Sequence, residues 1–374
     1  MSKEKRRVPK LRFPGFTEDW EQRKLSEVTT CFDNLRVAVT ASDRVPGKIP
    51  YYGANGIQDY VSGHTHSGEF VLIAEDGAND LNDYPIQYVN GAIWVNNHAH
   101  VIAGYKEKLE NNFLSYSLKT VKMTTFIVGG GRSKLNLKAL LEIPISMPNY
   151  DEQCVIGEFI ETIDKNITLH QRKLNNLKLK KKALFQKLFP KNGERYPELR
   201  FPGFTDAWEQ CKLKSIANTI VAGGDIDKNK IKESGTYPVI ANALTKDGVV
   251  GYYEDTYRIE APAVTVTGRG DIGVAKARHQ NFTPVVRLLS LTTAHDVDFI
   301  ENAINNLKIV SESTGVAQLT VPQLSNYKIH ITSILEERKI GLFISKVDNL
   351  ITLHQRKLDH LQLQKKTLLQ QMFV

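Results

Sequence analysis

Two stretches of the sequence place apolar residues at alternating steps of four and three, with polar residues between them. The first runs from Ile156 to Leu188 and the second from Ile340 to Met372. This spacing is typical of a coiled-coil seam. Each stretch of about 35 residues would form a helix roughly 50 Å long, because an α-helix rises about 1.5 Å per residue. The predicted seam consists of Ile160, Ile163, Ile167, His170, Leu174, Leu177, Ile344, Val347, Ile351, His354, Leu358 and Leu361.

Polar residues interrupt this seam at equivalent positions in the two stretches. His170 and His354 form one such pair of positions, and Lys181 and Lys365 form another. Polar residues at seam positions often fix helix register at some expense of stability, and we expect that role here. The alternative, that the histidines titrate or bind a metal, is less favoured because a single repeated imidazole is a poor ligand set.

The chain contains internal repeats, which predict its domain organisation. The block from Pro9 to Val28 returns from Pro197 to Ile216 with the shared string L-R-F-P-G-F-T, and the run I-T-L-H-Q-R-K-L occurs at Ile167 to Leu174 and at Ile351 to Leu358. The order is therefore domain, helix, domain, helix. We predict a first globular domain over residues 1–150, a central spacer helix over 151–190, a second globular domain over 191–334 and a distal spacer helix over 335–374.

Between the shared blocks the two copies diverge, yet weak correspondences remain. Ile49 to Tyr51 corresponds to Tyr237 to Val239, and Leu135 to Leu140 corresponds to Leu319 to Leu324. This pattern suits two modules that share one scaffold and bind different ligands, since packing fixes the scaffold whereas ligand-facing loops vary. Simple drift after duplication explains the divergence equally well.

Short runs of β-forming residues alternate with Gly-, Asn- and Asp-rich turns in both domains. Two further stretches, Leu109 to Thr120 and Asp298 to Leu307, predict one helix in each domain. The predicted fold class is therefore α+β, and Trp20 and Trp208 of the repeated block are expected to be packing anchors. The predicted strands are Phe70 to Ala74, Ala92 to Asn96, Ala99 to Ala103, Ala263 to Thr267 and Pro284 to Leu291.

Composition changes this picture only slightly. With 41% hydrophobic and 24% charged residues among 374, the chain has the composition of an ordinary globular protein of two or more domains. Its formal net charge of +8 favours a polyanionic partner, although moderate basicity is common among proteins that never bind nucleic acid. The three cysteines form no C-x-x-C pair, and no apolar stretch is long enough to span a bilayer. We therefore expect a reduced, cytoplasmic protein with no membrane segment.

The sequence lacks the motifs of common catalytic and metal sites. Gly129 to Lys134 does not have the G-x-x-x-x-G-K-[ST] spacing of a phosphate-binding loop, and Asp225 to Thr236 lacks the glycine and the final glutamate of a calcium loop. The pairs His64-x-His66 and His98-x-His100 are each spaced to share one strand face, but four-histidine zinc sites are uncommon. No Asn-Pro-Pro-Tyr, G-x-S-x-G or H-E-x-x-H motif occurs. We expect no catalytic residue and no metal in this chain.

This layout resembles the specificity subunits of Type I restriction-modification systems, and the resemblance covers essentially the whole chain. It rests on the repeated opening block, the variable domain after it, the closing segment from Leu137 to Pro144 and the E-x-x-I-G-x-F-I-x-x-x-D helix start, present at Glu337 to Asp348. The second closing segment, Val321 to Ile329, departs from the first because Tyr327-Lys328 stands where the first has Ile143-Pro144. This departure affects only that boundary.

The resemblance implies two target-recognition domains, each specific for a short half-site of double-stranded DNA, joined by two long antiparallel coiled-coil helices in a pseudo-twofold internal repeat. It also implies two methylation subunits that use S-adenosylmethionine to methylate adenine N6, and restriction/translocase subunits that use ATP and Mg. No cofactor would bind directly to a chain of this kind. Such a chain is a non-catalytic scaffold that recognises a bipartite, asymmetric DNA site.

The family has no general motif for the residues that contact DNA, so the candidates come from loops rich in Gly, Asn, Ser, Thr, Arg and Lys. Such loops contact phosphates through backbone N–H groups and base edges through Arg or Asn side chains, although they are equally normal turn formers. The candidate DNA-binding residues are Arg44, Asn97, His98, Arg132 and Ser133 in the first domain, and Arg269, Lys276, Arg278, Ser313 and Thr314 in the second.

Two other functions compete with DNA recognition. A protein-interaction scaffold with repeated modules and no DNA specificity would have the same helices, but it would not need a basic surface around its loops. A single-chain enzyme with a fused methyltransferase is disfavoured, because the motifs are missing and no chain length is left over for another domain.

Insertion of four residues after Leu174 should lengthen the predicted spacer helix by about 6 Å, or about one turn. We expect the gap between the two half-sites to widen while the bases of both halves stay the same, provided that the added helix rotation is tolerated. Mapping methylated adenines in cells that carry the altered chain and its methylation partner measures this gap. An unchanged gap would contradict a spacer role for the helix.

Overall fold

The chain folds into two compact units. The first comprises Met1–Gln171 together with Arg356–Val374, and the second comprises Arg172–Gln355. Each unit therefore contains one globular part and one segment from each of two long helices. The computed structural model describes residues 8–129, 134–191, 193–309 and 317–373.

The globular part of the first unit combines two sheets with three short helices. Its elements are β1 (Glu21–Lys24), α1 (Leu25–Val28), β2 (Thr29–Cys31), β3 (Pro46–Gly53), β4 (Gly56–Val61), β5 (His66–Ala74), β6 (Ile86–Val95), β7 (Ala99–Gly104), α2 (Asn111–Thr120), α3 (Leu137–Leu141) and β8 (Pro144–Met147). The long helix α4 (Tyr150–Leu188) follows. The larger sheet has the strand order β2-β7-β5-β6-β3-β4, and β1 pairs with β8. All of these pairs are antiparallel except the one between β3 and β6.

The central strand β5 is buried on both faces of the larger sheet. Its last five residues, Phe70–Ala74, are all buried, and successive side chains along a strand point to opposite faces. Val71 and Ile73 join the core that α2 covers, whereas Phe70 and Leu72 join a separate apolar cluster on the other face. The predicted strand from Phe70 to Ala74 is confirmed, and apolar side chains pack on both of its faces.

The second unit repeats this plan. Its elements are β9 (Glu209–Lys212), α5 (Leu213–Ile216), β10 (Ala217–Ala222), β11 (Tyr237–Ile240), β12 (Val249–Tyr253), β13 (Ala263–Thr267), β14 (Ala275–Arg278), β15 (Thr283–Pro284), β16 (Leu288–Thr293), α6 (Val297–Asn305), α7 (Val321–Asn326), β17 (Lys328–Ile331) and the long helix α8 (Ile334–Met372). The sheets have the orders β10-β16-β13-β14, β12-β11-β15 and β17-β9.

The two globular parts share one topology. The strands β2-β7-β5-β6 correspond to β10-β16-β13-β14, and each set is followed by a helix, α2 or α6. Each unit also contains one parallel pairing at the same place, with Tyr51 opposite Trp94 in the first and Val239 opposite Thr283 in the second. The predicted internal repeat and α+β fold class are confirmed.

One predicted strand is wrong in its extent. The sequence pattern predicts a single strand from Pro284 to Leu291, but β15 ends at Pro284 and β16 begins at Leu288. Arg287 lies between them with φ of 71°, in the left-handed region and outside the range of extended strands. The chain therefore turns inside an apolar run that looks continuous in the sequence.

In the first unit the beginning of α4 packs against the end of α8. Ile156 and Ile160 share the core with Met372, and the Lys365 Nζ lies 2.6 Å from Oδ1 of Asp164 and 2.8 Å from its Oδ2. Moving forward along α4 from Ile156 to Asp164 therefore moves backward along α8. The two segments are antiparallel, as predicted.

In the second unit the end of α4 packs against the beginning of α8 in the same manner. Leu188 shares the core with Ile340 and Ile344, and the Lys181 Nζ lies 2.6 Å from Oδ1 of Asp348 and 2.8 Å from its Oδ2. These segments are antiparallel too. The proposed register role of Lys181 and Lys365, and that of His170 and His354, stays a prediction.

The residues of the predicted seam are all buried or half-buried. Leucines at other positions of the same helices, such as Leu179 and Leu363, are instead exposed. The three-four spacing thus separates the covered positions from the solvent-facing ones. Within the described part of the chain, no helix combines the length and the apolar character needed to cross a membrane.

A buried arginine–glutamate pair attaches the opening block of each unit to the start of a long helix. In the first unit Arg12 donates from Nε and Nη2 to the two carboxylate oxygens of Glu152, each at 2.7 Å. In the second unit Arg200 donates to Glu336 in the same way, at 2.7 and 2.8 Å. Both glutamate side chains are fully buried. This two-pronged geometry suits the guanidinium group and explains why the L-R-F-P-G-F-T block keeps its arginine.

Aromatic rings pack around the tryptophan of each opening block. The Trp20 ring lies edge-on to Phe113, with centroids 5.8 Å apart, and to Phe373 at the end of α8, at 6.2 Å. In the second unit, Trp208 makes the equivalent contacts with Phe299 at 5.6 Å and with Phe189, just after α4, at 5.9 Å. The predicted packing role of both tryptophans is confirmed.

Replacing Arg12 by Ala should leave the buried carboxylate of Glu152 without its partner. Removing one member of a buried pair typically costs about 3–5 kcal/mol, because the remaining charge is uncompensated. We expect a loss of that order in the free energy of unfolding, measured by urea denaturation of the full chain.

Arg23→Ala is the matched control for this variant. Arg23 pairs with Glu21 on the surface, with both side chains exposed, so its loss should change stability very little. Equal losses for R12A and R23A would contradict the structural role assigned to the buried pair.

Candidate functional site

Three loops meet at the end of β5 in the first unit. The backbone N–H of Glu75 donates to the carbonyl of His98 at 2.9 Å, and the Glu75 carbonyl accepts from the N–H of Leu135 at 2.7 Å. Asp76, the next residue, forms a β-bridge with Lys134. We call these residues the first loop cluster: Glu75, Asp76, Asn96–His98, Lys134 and Leu135.

The second unit brings three loops together at the end of β13 in the same way. The Gly268 carbonyl accepts from the N–H of Leu319 at 2.9 Å, and Arg269 forms a β-bridge with Gln318. We call these residues the second loop cluster: Gly268, Arg269, Val285–Arg287, Gln318 and Leu319.

Shared backbone hydrogen bonds show which residues of the two clusters are equivalent. Besides the bonds from the two leucines, the N–H of Asn96 donates to the Tyr52 carbonyl at 3.0 Å, and the N–H of Val285 donates to the Ile240 carbonyl at 2.8 Å. These bonds match, whereas the backbone departs at Arg287, whose φ is 71°, and the side chains differ in charge and polarity. The equivalent pairs are Asp76 and Arg269, Asn97 and Val286, and His98 and Arg287.

The charged side chains of the first loop cluster are paired with neighbouring groups. The Nδ1 of His98 lies 2.5 Å from Oδ1 of Asp76. Arg36 donates to one carboxylate oxygen of Glu75 at 2.7 Å, and the Nζ of Lys134 lies 2.9 Å from the other. Opposite charges therefore largely balance one another here.

Asp33 extends this network to residues outside the first loop cluster. Its Oδ2 lies 2.6 Å from Nδ1 of His100, and its Oδ1 accepts the N–H of Val101 at 2.8 Å. Burial by itself would raise the pKa of Asp33, but the hydrogen bonds from His100 and Val101 and the charge of Arg36 outweigh it and lower that pKa.

Asp33, Glu75 and His100 bring possible metal-ligand atoms within 4.8 Å of one another. Arg36 and Lys134 already neutralise the two carboxylates, with Arg36 bonded to Glu75 and 3.3 Å from Asp33. The ion-pair network therefore accounts for this arrangement. His98 and His100 are held by different carboxylates, Asp76 and Asp33.

The second loop cluster carries arginines in place of these balanced pairs. Arg269 is exposed and Arg287 is half-buried, and neither forms an ion pair with a residue in the described ranges. Asn242 holds the backbone underneath: its Oδ1 accepts from the Gly268 N–H at 2.8 Å, and its Nδ2 donates to the Val286 carbonyl at 3.1 Å. The Val286 side chain is 40% exposed. This cluster can present two cations and one apolar side chain to a ligand.

The predicted DNA-binding candidates fall into three groups. Asn97, His98 and Arg269 lie in the loop clusters, while Lys276 is exposed on β14. The residues outside the described ranges are Arg132, Ser133, Ser313 and Thr314.

Arg44 and Arg278 form the third group, because contacts within the protein engage their guanidinium groups. Arg44 lies 4.1 Å from the centroid of the Tyr51 ring. Arg278 donates to the Thr265 hydroxyl and to the Asp247 carbonyl, both at 3.0 Å, and burial lowers its pKa. Their role as DNA contacts stays a prediction.

The sequence patterns missed Arg287 and Val286. Both lie in the apolar run that predicts a continuous strand, so neither looked like a loop residue. The strand pairing of the folded chain, and not a sequence pattern, makes this run equivalent to the turn at Asn97.

Comparison with known proteins identifies a family for most of the chain. Residues 17–179 and 205–363 each match the model of the Type I restriction modification DNA specificity domain. The two matches cover both globular parts and much of both long helices.

Individual relatives agree with that match. A Haemophilus influenzae protein named as a type I restriction enzyme specificity subunit is 48% identical over 143 residues, which is 38% of this chain and 37% of that protein. A Mycoplasma pneumoniae protein named as a type I specificity subunit is 28% identical over 310 residues, covering 79% of this chain and 80% of its own length. The crystal structure of a Type I restriction-modification S subunit from M. genitalium has a TM-score of 0.77 at 14% identity and covers 98% of this chain and 99% of its own, which shows a common fold.

Asp33→Asn should reduce the acid sensitivity of the first unit. Because the folded chain lowers the pKa of Asp33, its carboxylate contributes stability above its ordinary pKa, and this contribution is lost as the pH falls through the lowered value. The wild-type chain should lose free energy of unfolding as the pH falls below about 4, the ordinary pKa of aspartate, and the variant should lose less. Urea denaturation at a series of pH values measures this, and parallel pH profiles would contradict the assigned network.

Proposed function

The chain belongs to the family of Type I restriction modification DNA specificity proteins, and from this premise we propose that each unit recognises one half of a bipartite, asymmetric DNA site. The chain is then the DNA sequence-specificity subunit of a Type I restriction-modification complex. The observation that supports this most strongly is the pair of loop clusters. They share backbone hydrogen bonds that join their loops but carry different side chains, as two modules for different half-sites would.

The chemistry of the clusters suits contact with DNA. An arginine such as Arg269 can donate two hydrogen bonds to guanine O6 and N7, and an asparagine such as Asn97 can pair with adenine N6 and N7. Cations near the duplex also gain affinity by displacing counterions from phosphates. The formal net charge of +8 is consistent with such a partner.

We propose that the chain has no catalytic role of its own. It determines which DNA sequence the complex recognises and holds the other subunits together. In this proposal two methylation subunits bind S-adenosylmethionine and methylate adenine N6 after flipping the base out of the duplex. Restriction/translocase subunits supply ATP- and Mg-dependent cleavage, and the complex works in the cytoplasm. The missing catalytic motifs of the sequence support this division of labour.

Methylated adenines mapped in cells that carry the chain with its methylation partner test this function. We expect one motif made of two different defined halves separated by bases of any identity. Cells with the partner alone are the control and should show no such motif. The purified complex should also bind DNA with an affinity that falls steeply with salt, by a slope of about −0.9 per phosphate contact.

Two results would contradict the proposal. Methylation of the same motif by the partner alone would remove the specificity role from this chain. DNA binding without sequence preference or salt dependence would instead favour a protein-interaction scaffold.

A further inference from the structure

The second loop cluster contains an arginine that is placed to determine sequence specificity. Resting on the proposed DNA function, we propose that Arg287, with Arg269 on the adjoining loop, recognises a guanine in the half-site of the second unit. The equivalent residues of the first unit, His98 and Asp76, do not recognise guanine in the other half.

The backbone at Arg287 has a conformation that is unfavourable for arginine. Its φ of 71° lies in the left-handed region, which glycine and asparagine adopt far more readily. Neighbouring hydrogen bonds hold the turn, since Val285 donates to Ile240 at 2.8 Å and Leu288 donates to Val285 at 3.0 Å. Strained residues of this kind are concentrated at ligand-binding sites, where the side chain has a use that offsets the strain.

The two arginines lie on loops that touch. Gly268 has no side chain, and a Cβ at that position would collide with the carbonyl oxygen of Arg287 and lie 3.0 Å from the carbonyl of Leu319. The glycine therefore allows the loop that carries Arg269 to approach the turn that carries Arg287. Asn242 bonds to both loops and fixes this approach.

The charges of these arginines are not balanced within the described part of the chain. Neither Arg269 nor Arg287 has an ion-pair partner there, whereas His98 and Asp76 are 2.5 Å apart. Unpaired guanidinium groups on adjoining loops favour a ligand that supplies acceptors. Guanine presents two acceptors, O6 and N7, in the major groove with the spacing of a guanidinium fork.

The first unit has the opposite chemistry at the same positions. Asp76 stands where the second unit has Arg269, and a carboxylate repels the O6 and N7 acceptors of guanine. Val286, beside Arg287, is exposed and apolar, whereas the equivalent Asn97 is polar. Guanine recognition at these positions should therefore be confined to the second half-site.

The test uses the full chain in complex with its methylation partner, once the methylated motif is known. Arg287→Gly removes the side chain and suits the left-handed backbone, so this variant should remain folded. Arg287→Lys keeps the charge but loses the two-pronged geometry. Lys214→Ala on α5 removes one positive charge from the same unit and is the matched control. Affinity is measured for the mapped duplex and for duplexes with single base pairs changed in either half.

R287G should bind the mapped duplex about 10- to 100-fold more weakly. For a duplex in which the recognised guanine of the second unit's half-site is already replaced, R287G and the wild-type complex should bind with nearly equal affinity. R287K should lose most of the same discrimination, K214A should keep it, and methylation in cells should relax at that one base pair while the other half stays unchanged.

Three results would overturn the inference. The first is unchanged discrimination in folded R287G. The second is equal weakening for all duplexes, which would indicate a phosphate contact. The third is relaxed discrimination in the half-site that a His98→Ala variant also relaxes, which would assign Arg287 to the wrong half. In each case the wild-type complex still recognises its bipartite site, so the proposed function stands. Failure of that function would appear separately, as loss of sequence preference in the wild-type complex.

Discussion

The structure depends on the way a buried glutamate at the start of each long helix is neutralised by the arginine of the opening block. Glu152 and Glu336 are fully buried, so each requires its two-pronged partner, Arg12 or Arg200. The arginine in turn fixes the opening block, whose tryptophan packs against the helix of the globular part and the end of the other long helix. One charge pair and one aromatic cluster thus hold a sheet and two helix segments together, and both occur in each unit.

The two loop clusters explain how one fold can serve two half-sites. The hydrogen bonds that the two loop clusters share join backbone groups, so they place no demand on the side chains at Asp76 and Arg269, or at His98 and Arg287. Specificity can therefore change without disturbing the sheet. Duplication followed by divergence between the shared blocks gives two modules with one scaffold.

Much of the fold follows from the sequence, and the failures have physical causes. Periodicity predicts both long helices, and repetition predicts the two-part organisation, because both reflect local packing. The arginine–glutamate pairs were missed because their partners lie 140 and 136 residues apart and meet only in the folded chain. Arg287 was missed because the apolar pattern of V-V-R-L-L does not reveal that one of its residues has a left-handed backbone.

The central claim is that the two loop clusters face different halves of one DNA site. It can be tested by placing a photo-crosslinking residue at position 97 in one sample of the complex and at position 286 in another. Both positions are exposed and equivalent in the two clusters. Mapping the crosslinked bases on the methylated motif should show position 97 attached only to one half and position 286 only to the other. Crosslinks from both positions to the same half, or none to DNA from either, would contradict the account.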